Sequence, residues 1–193
     1  MLFRSDGNTP RQNTKVSNAT FIQRSTSGGD GTAILLRGGT DYTLVNSVVQ
    51  SPNLTCLKIS RPQTASTTAD ASINEAGAPV FQSVAMECPT TATFTGANGV
   101  TEAAVRSIFE AGSNNSSTFT TSLSNVFING ANETAVTPFD QSSISSFFTK
   151  TSYIGAVKDA SDNWFAGWTC NSVSASFDDT SNSDRACTSL PTT

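Results

Sequence analysis

The sequence predicts an all-β chain built as a parallel β-solenoid, on three observations. Short apolar runs separated by polar and glycine turns fill the first two thirds of the chain. No two-residue Asn-Gly or Asp-Gly turn joins alternating arms, as a tight hairpin would require. One phrase recurs: Val16-Ser17-Asn18-Ala19, Val45-Asn46-Ser47-Val48, Phe81-Gln82-Ser83-Val84 and Leu123-Ser124-Asn125-Val126. Its interval grows from about 30 to about 40 residues, as coils with loops of unequal length would give. Stacked coils place equivalent residues about 4.8 Å apart, so Val, Ile, Leu and Phe form rows in the core. Asn and Ser suit the corners, where Asn tolerates left-handed backbone. The alternative is an antiparallel sandwich with a coincidental phrase; glycines ahead of the strands favour the solenoid.

Taken in order, strand-like runs are Lys15–Ile22, Thr32–Arg37, Tyr42–Val49 and Leu54–Ile59, punctuated by Gly28-Gly29-Asp30-Gly31, Arg37-Gly38-Gly39-Thr40-Asp41 and Ser51-Pro52-Asn53. The Ala-, Thr- and Ser-rich stretch 63–78 reads as a loop leaving one coil. A first short helix is expected near 101–111: Thr101 is placed to cap it, Val105, Ile108 and Phe109 share a face, and Gly112 stands where a helix end favours left-handed backbone. A second is expected near 140–148, with Asp140 as cap and Ile144, Phe147 and Phe148 as its apolar stripe. The organisation expected is therefore solenoid coils over 1–150 and a capping segment over 151–193. Tyr153, Trp164 and Trp168 cluster in that segment as capping or contact aromatics.

Composition excludes several functions. About seventy of the 193 residues are Ser, Thr or Asn, and only 13% are charged, against about 25% in ordinary soluble proteins. The net charge of −4 argues against binding a phosphate backbone, so no nucleic acid is expected as a partner. The chain has no histidine, which removes His-based triads, His metal cages and imidazole proton shuttles. No apolar run approaches the ~20 residues of a transmembrane helix. Four cysteines lie at Cys56, Cys88, Cys170 and Cys187 without zinc or redox spacing. Chain order favours bridges Cys56–Cys88 and Cys170–Cys187, one of three possible connectivities; four buried free thiols are the alternative. The even cysteine count and abundant Ser and Thr point to an oxidising, extracellular or outer-surface setting. An exported chain beginning Met1-Leu2-Phe3-Arg4 without a visible leader leads us to expect further residues upstream.

The run RGGTDYTLVNSVV at Arg37–Val49 and the run FFTKTSYIGAVKDASDNWFAGWTC at Phe147–Cys170 carry a resemblance. The chain resembles the C-terminal part of secreted, lipoprotein-like surface proteins of Gram-negative bacteria, an uncharacterised group. That resemblance spans nearly the whole chain and implies a right-handed parallel β-helix at the cell surface. It supplies no catalytic residues.

The function expected is that of an extracytoplasmic structural or adhesive surface protein, self-assembling through an open N-terminal coil or contacting a glycan. The different-class alternative is a carbohydrate-active enzyme, a polysaccharide lyase or glycoside hydrolase, with carboxylates on a solenoid groove. Hydrolysis needs two carboxyls about 5–10 Å apart; the candidates are Arg37 and Asp41, flanking a Gly-Gly turn, and Glu87. No cofactor is expected beyond a calcium ion at Asp178, Thr180, Asn182 and Asp184, whose oxygens alternate as in hard-cation loops. That loop lacks the central Gly and bidentate Glu of an EF-hand. Thr-rich runs at 90–95 and 118–121 could form flat hydroxyl arrays for ice or glycan, or simply suit exposed strands.

Overall fold

The chain alternates between two parallel sheets. The computed structural model describes residues 8–27, 30–89 and 92–165. The first sheet is centred on β4 (Asp41–Gln50), with β1 (Asn13–Ser17) and β2 (Thr20–Ile22) end to end along one edge and β6 (Val80–Glu87) along the other. The second has the order β3 (Thr32–Leu36), β5 (Thr55–Ser60), β7 (Phe94–Ala97). The four strand-like runs of the sequence coincide with β1–β2, β3, β4 and β5.

Strand β4 is buried on both faces, which is why it reads as a near-continuous apolar run. Leu44 and Val49 both enter the core between the sheets, although strict alternation would put residues five apart on opposite faces. The left-handed residue Asn46 (φ 49°) shifts the parity by one. Ser83 (φ 52°) does the same in β6, so that Phe81, Val84 and Met86 all enter the core. Register places Val16 beside Leu44 and Leu44 beside Phe81, which aligns Asn18 (φ 53°), Asn46 and Ser83 in one left-handed row. The row extends to Asn114 (φ 56°): Ser83 N–H donates to Ser113 C=O just as Asn18 N–H donates to Val45 C=O.

Two short helical pieces, α1 (Pro62–Ala65) and a 3₁₀ turn over Ala71–Ile73, lie in the β5–β6 loop. Helix α2 (Glu102–Glu110) starts because Thr101 Oγ1 accepts the Ala104 N–H at 3.1 Å. It closes the space between the sheets: Phe109 lies 5.6 Å from Phe81 of β6 and 5.4 Å from Phe94 of β7, ring centre to ring centre. Arg106 seats its guanidinium 4.9 Å over the Phe94 ring. The outer face of the first sheet is covered by residues from the segment 119–154, where Val48 and Ala85 pack with Ile154, Phe119, Leu123 and Val136.

The expectation of an all-β, right-handed parallel β-helix is overturned. The fold is mixed, with neither sheet closed or curled, and α2 supplies Val105 and Phe109 to the core. Beyond Ala97 the described residues form no further strand, only isolated bridges such as Ala85 with Ser116 and Ile128 with Val157. The stretch Ser113–Leu123 carries only Phe119 and Leu123 as apolar side chains among Ser, Asn and Thr. It can bond a neighbouring backbone but has too little apolar surface to form a buried strand.

The phrase at Leu123–Val126 is not in the row. It forms a local loop closed by reciprocal Ser124 and Ile128 backbone bonds at 2.8 and 2.9 Å. In place of a helix over 140–148 there is a three-residue 3₁₀ turn, Gln141–Ser143; Phe147 is exposed and packs edge-on against Phe148. Four further helical residues, α3 (Ala131–Thr134), occur where none was expected. Their organiser is the buried Glu133, which accepts N–H bonds from Ser122 and Gly130 at 2.8 and 2.9 Å.

Candidate functional site

A cleft of about 480 Å³ opens between the residues ahead of β1 and the turn joining β3 to β4. Its wall includes Arg11, Gln12, Arg37, Gly38, Gly39 and Thr40. Gly38 and Gly39 hold consecutive left-handed conformations, φ 75° and 72°, which residues with a Cβ adopt only at a cost. Gly39 N–H donates to the buried Thr64 hydroxyl at 3.1 Å, which ties the turn to α1. On the other side the Gln12 carbonyl accepts from Thr40 Oγ1 at 3.1 Å and from Asp41 N–H at 2.8 Å. The two walls are thereby locked together.

Beneath the cleft lies an ion cluster. Arg11 Nη1 stands 3.3 Å from Glu75 and 3.9 Å from Asp41, and the Arg11 backbone N–H also donates to Glu75 at 3.2 Å. Asp41 is fully buried and accepts a 2.8 Å bond from Ala76 N–H. Its other oxygen and the Arg11 Nε and Nη1 atoms are shut from solvent without a hydrogen bond. Two buried carboxylates thus face one guanidinium, and that pairing pins the β5–β6 loop onto the first strand.

Asp41 and Arg37, which flank the same turn, do not meet. Among the described residues Arg37 pairs only with Asp30, at 3.8 Å, and both side chains are more than a third exposed. Glu87 is elsewhere: it pairs in register with Gln50, at the opposite end of β4 from Asp41. Nine residues of a bent strand separate the two by roughly 20–30 Å, beyond the reach of a two-carboxylate mechanism. Glu87 accepts bonds from Gln50 Nε2, at 3.1 Å, and from the Thr121 hydroxyl.

The Cys56–Cys88 bridge is formed, and it pins the base of the loop that the sequence placed between those residues. Cys170, Cys187, Trp168 and the calcium candidates Asp178, Thr180, Asn182 and Asp184 lie outside the described residues. So do Thr90 and Thr91; of the other Thr-rich run, residues 118–121 form no strand. Trp164 is 60% exposed and its indole N–H donates to Ala156 C=O at 2.9 Å. Burial, and then the Asp162 charge, push the Tyr153 phenol up from its ordinary pKa. Among the described residues no group of three or more Cys, Asp or Glu gathers to hold a metal. None of their helices is long and apolar enough to cross a membrane.

Arg11 and Gln12 are the site residues the sequence did not single out. They sit in a polar stretch without periodicity, and Arg11 finds Glu75 across 64 positions. No family model matches the chain, and comparison with curated proteins and with solved structures gives no match.

Proposed function

We propose that the protein is an extracytoplasmic surface protein, structural or adhesive in role, that holds a ligand such as a glycan rather than transforming it. One observation carries this reading. Among its described residues the cleft wall presents guanidinium, amide, hydroxyl and glycine backbone, and no group that could take or give a proton near neutral pH. Asp41 and Glu75 are spent on Arg11, and Glu87 on Gln50 and Thr121. The Cys56–Cys88 bridge supports the extracytoplasmic setting.

The experiment is a paired assay of the native protein on a polysaccharide panel, scoring retention and release of reducing ends. Retention without release is expected. Release that vanishes in Asp41→Asn or Glu87→Gln while the fold persists would establish the carbohydrate-active enzyme instead. Association between copies is a second reading, favoured by the outward backbone groups of β1, which bond to nothing else among the described residues. A mass by light scattering that stays constant across concentration removes it.

A further inference from the structure

Resting on the binding reading above, we infer that the cleft between Arg11 and Arg37 recognises a carboxylated sugar, such as a hexuronate unit of a polysaccharide. The cleft volume, about 480 Å³, lies in the range of small-molecule sites. Both charged side chains in its described wall are arginines, in a protein whose net charge is −4.

The two arginines have different parts. Arg11 is matched by Asp41 and Glu75 behind it, so it adds little net charge to the cleft. Its part is structural: the two carboxylates hold the guanidinium still, and with Nε and Nη1 shut from solvent it braces the cleft wall rather than meeting the ligand through those atoms.

Arg37 is the available charge. Its only ion pair among the described residues, with Asp30, is long and solvent-exposed, and pairs of that kind contribute little. A carboxylate docking on the planar guanidinium gains two parallel bonds that Asp30 does not make at 3.8 Å. The rest of the wall, Gln12, Thr40 and the Gly38-Gly39 backbone, is neutral and hydrogen-bonding, which suits the hydroxyls of a sugar ring. No side chain projects from the two glycines, so a ring can approach the turn closely.

The test is calorimetric titration of the full chain with trigalacturonate, with free galacturonate and neutral galactotriose as comparison ligands. Trigalacturonate should bind and galactotriose should not. Raising salt from ~20 to ~300 mM should weaken binding several-fold, because the pair at Arg37 is open to solvent. Arg37→Ala should weaken it about tenfold or more with an unchanged melting temperature, and Arg37→Lys should recover part of the loss. Lys150→Ala, which removes the same charge outside the cleft, should bind as the parent does. Binding of free galacturonate as tight as that of the trimer would overturn the assignment to a polysaccharide and point to a small free acid. Equal binding of galactotriose, or an Arg37→Ala chain that binds like the parent, would overturn the inference while the binding reading stands. Cleavage of trigalacturonate would overturn that reading and leave the carboxylate contact intact. No binding of any of the three sugars would sink the cleft assignment.

Discussion

The Asn46 side-chain amide pairs reciprocally with the backbone of Phe139: Nδ2 donates to the carbonyl at 2.8 Å and Oδ1 accepts the N–H at 2.7 Å. Asn46 Nδ2 also donates to Gln141 Oε1 at 3.0 Å, and Gln141 in turn donates to the Asn18 and Thr151 side chains. Gly155 N–H returns to Asn46 C=O at 2.8 Å. The left-handed row therefore does two jobs. It turns the strands of the first sheet, and it presents the amides that hold the segment 139–155 across that sheet.

Asn46→Ala should lower stability by about 2–4 kcal/mol, combining orphaned buried partners with a Cβ residue in left-handed backbone. Asn46→Gly keeps the backbone and loses only the amide, so it should cost less. Urea unfolding measures the totals, and hydrogen exchange at the Phe139 amide should accelerate in both variants. Unchanged protection there would remove the strap role.

Gly112→Ala should be among the most damaging single substitutions. A Cβ at Gly112 would fall 1.6 Å from the Phe81 carbonyl oxygen, and backbone cannot move aside as a flexible side chain can. The requirement is close approach rather than a left-handed helix end; it is Asn114, two residues later, that takes the positive φ. A melting temperature within a degree or two of the parent would contradict this packing.

Reducing the Cys56–Cys88 bridge, or replacing both residues with Ser, should cost about 3–4 kcal/mol on the chain-entropy account for a separation of 32 residues. Thermal unfolding with and without reductant reads the difference. Because the bridge pins the loop carrying Glu75, the Arg11 cluster should also loosen, visible as faster exchange at the Ala76 amide.

Three exposed aspartates share one local device. Hydrogen bonds from Ser72 hold the Asp70 carboxyl below its usual range, and Ser161 does the same for Asp159. At Asp140 the Ser142 hydroxyl acts first, and then Lys150. A carboxyl whose pKa is lower folded than unfolded supports its turn fully above the ordinary aspartate value of about 3.9. That support fades as pH falls through the lower folded values. The Ser72, Ser142 and Ser161 amide resonances should titrate with midpoints below ordinary aspartate, and Ser142→Ala should move the Asp140 midpoint upward. Midpoints at the ordinary value would refute the capping.

What the sequence by itself determined is local. The strands at β3, β4 and β5 were legible because each is a short run of β-branched and apolar residues between turn formers. Helix α2 was legible because its Thr101 cap and its Val105–Phe109 face are separated by only a few residues. Chain order alone picked Cys56 with Cys88. Tertiary structure decided the rest, since register cannot be read within one strand and a slip of one residue changes every partner. The phrase containing Val45 shows this: it aligns Val45 with Val16, whereas the sheet pairs Val45 with Ser17 and so puts Asn46 beside Asn18. The parity shifts at Asn46 and Ser83 follow from backbone hand, which a period-two reading assumes constant. Arg11 acquired its role only when the β5–β6 loop folded back to bring Glu75 to it, and a pairing across 64 residues leaves no local trace. Burial then committed Asp41 to structure, leaving Arg37 as the open charge at the turn they share.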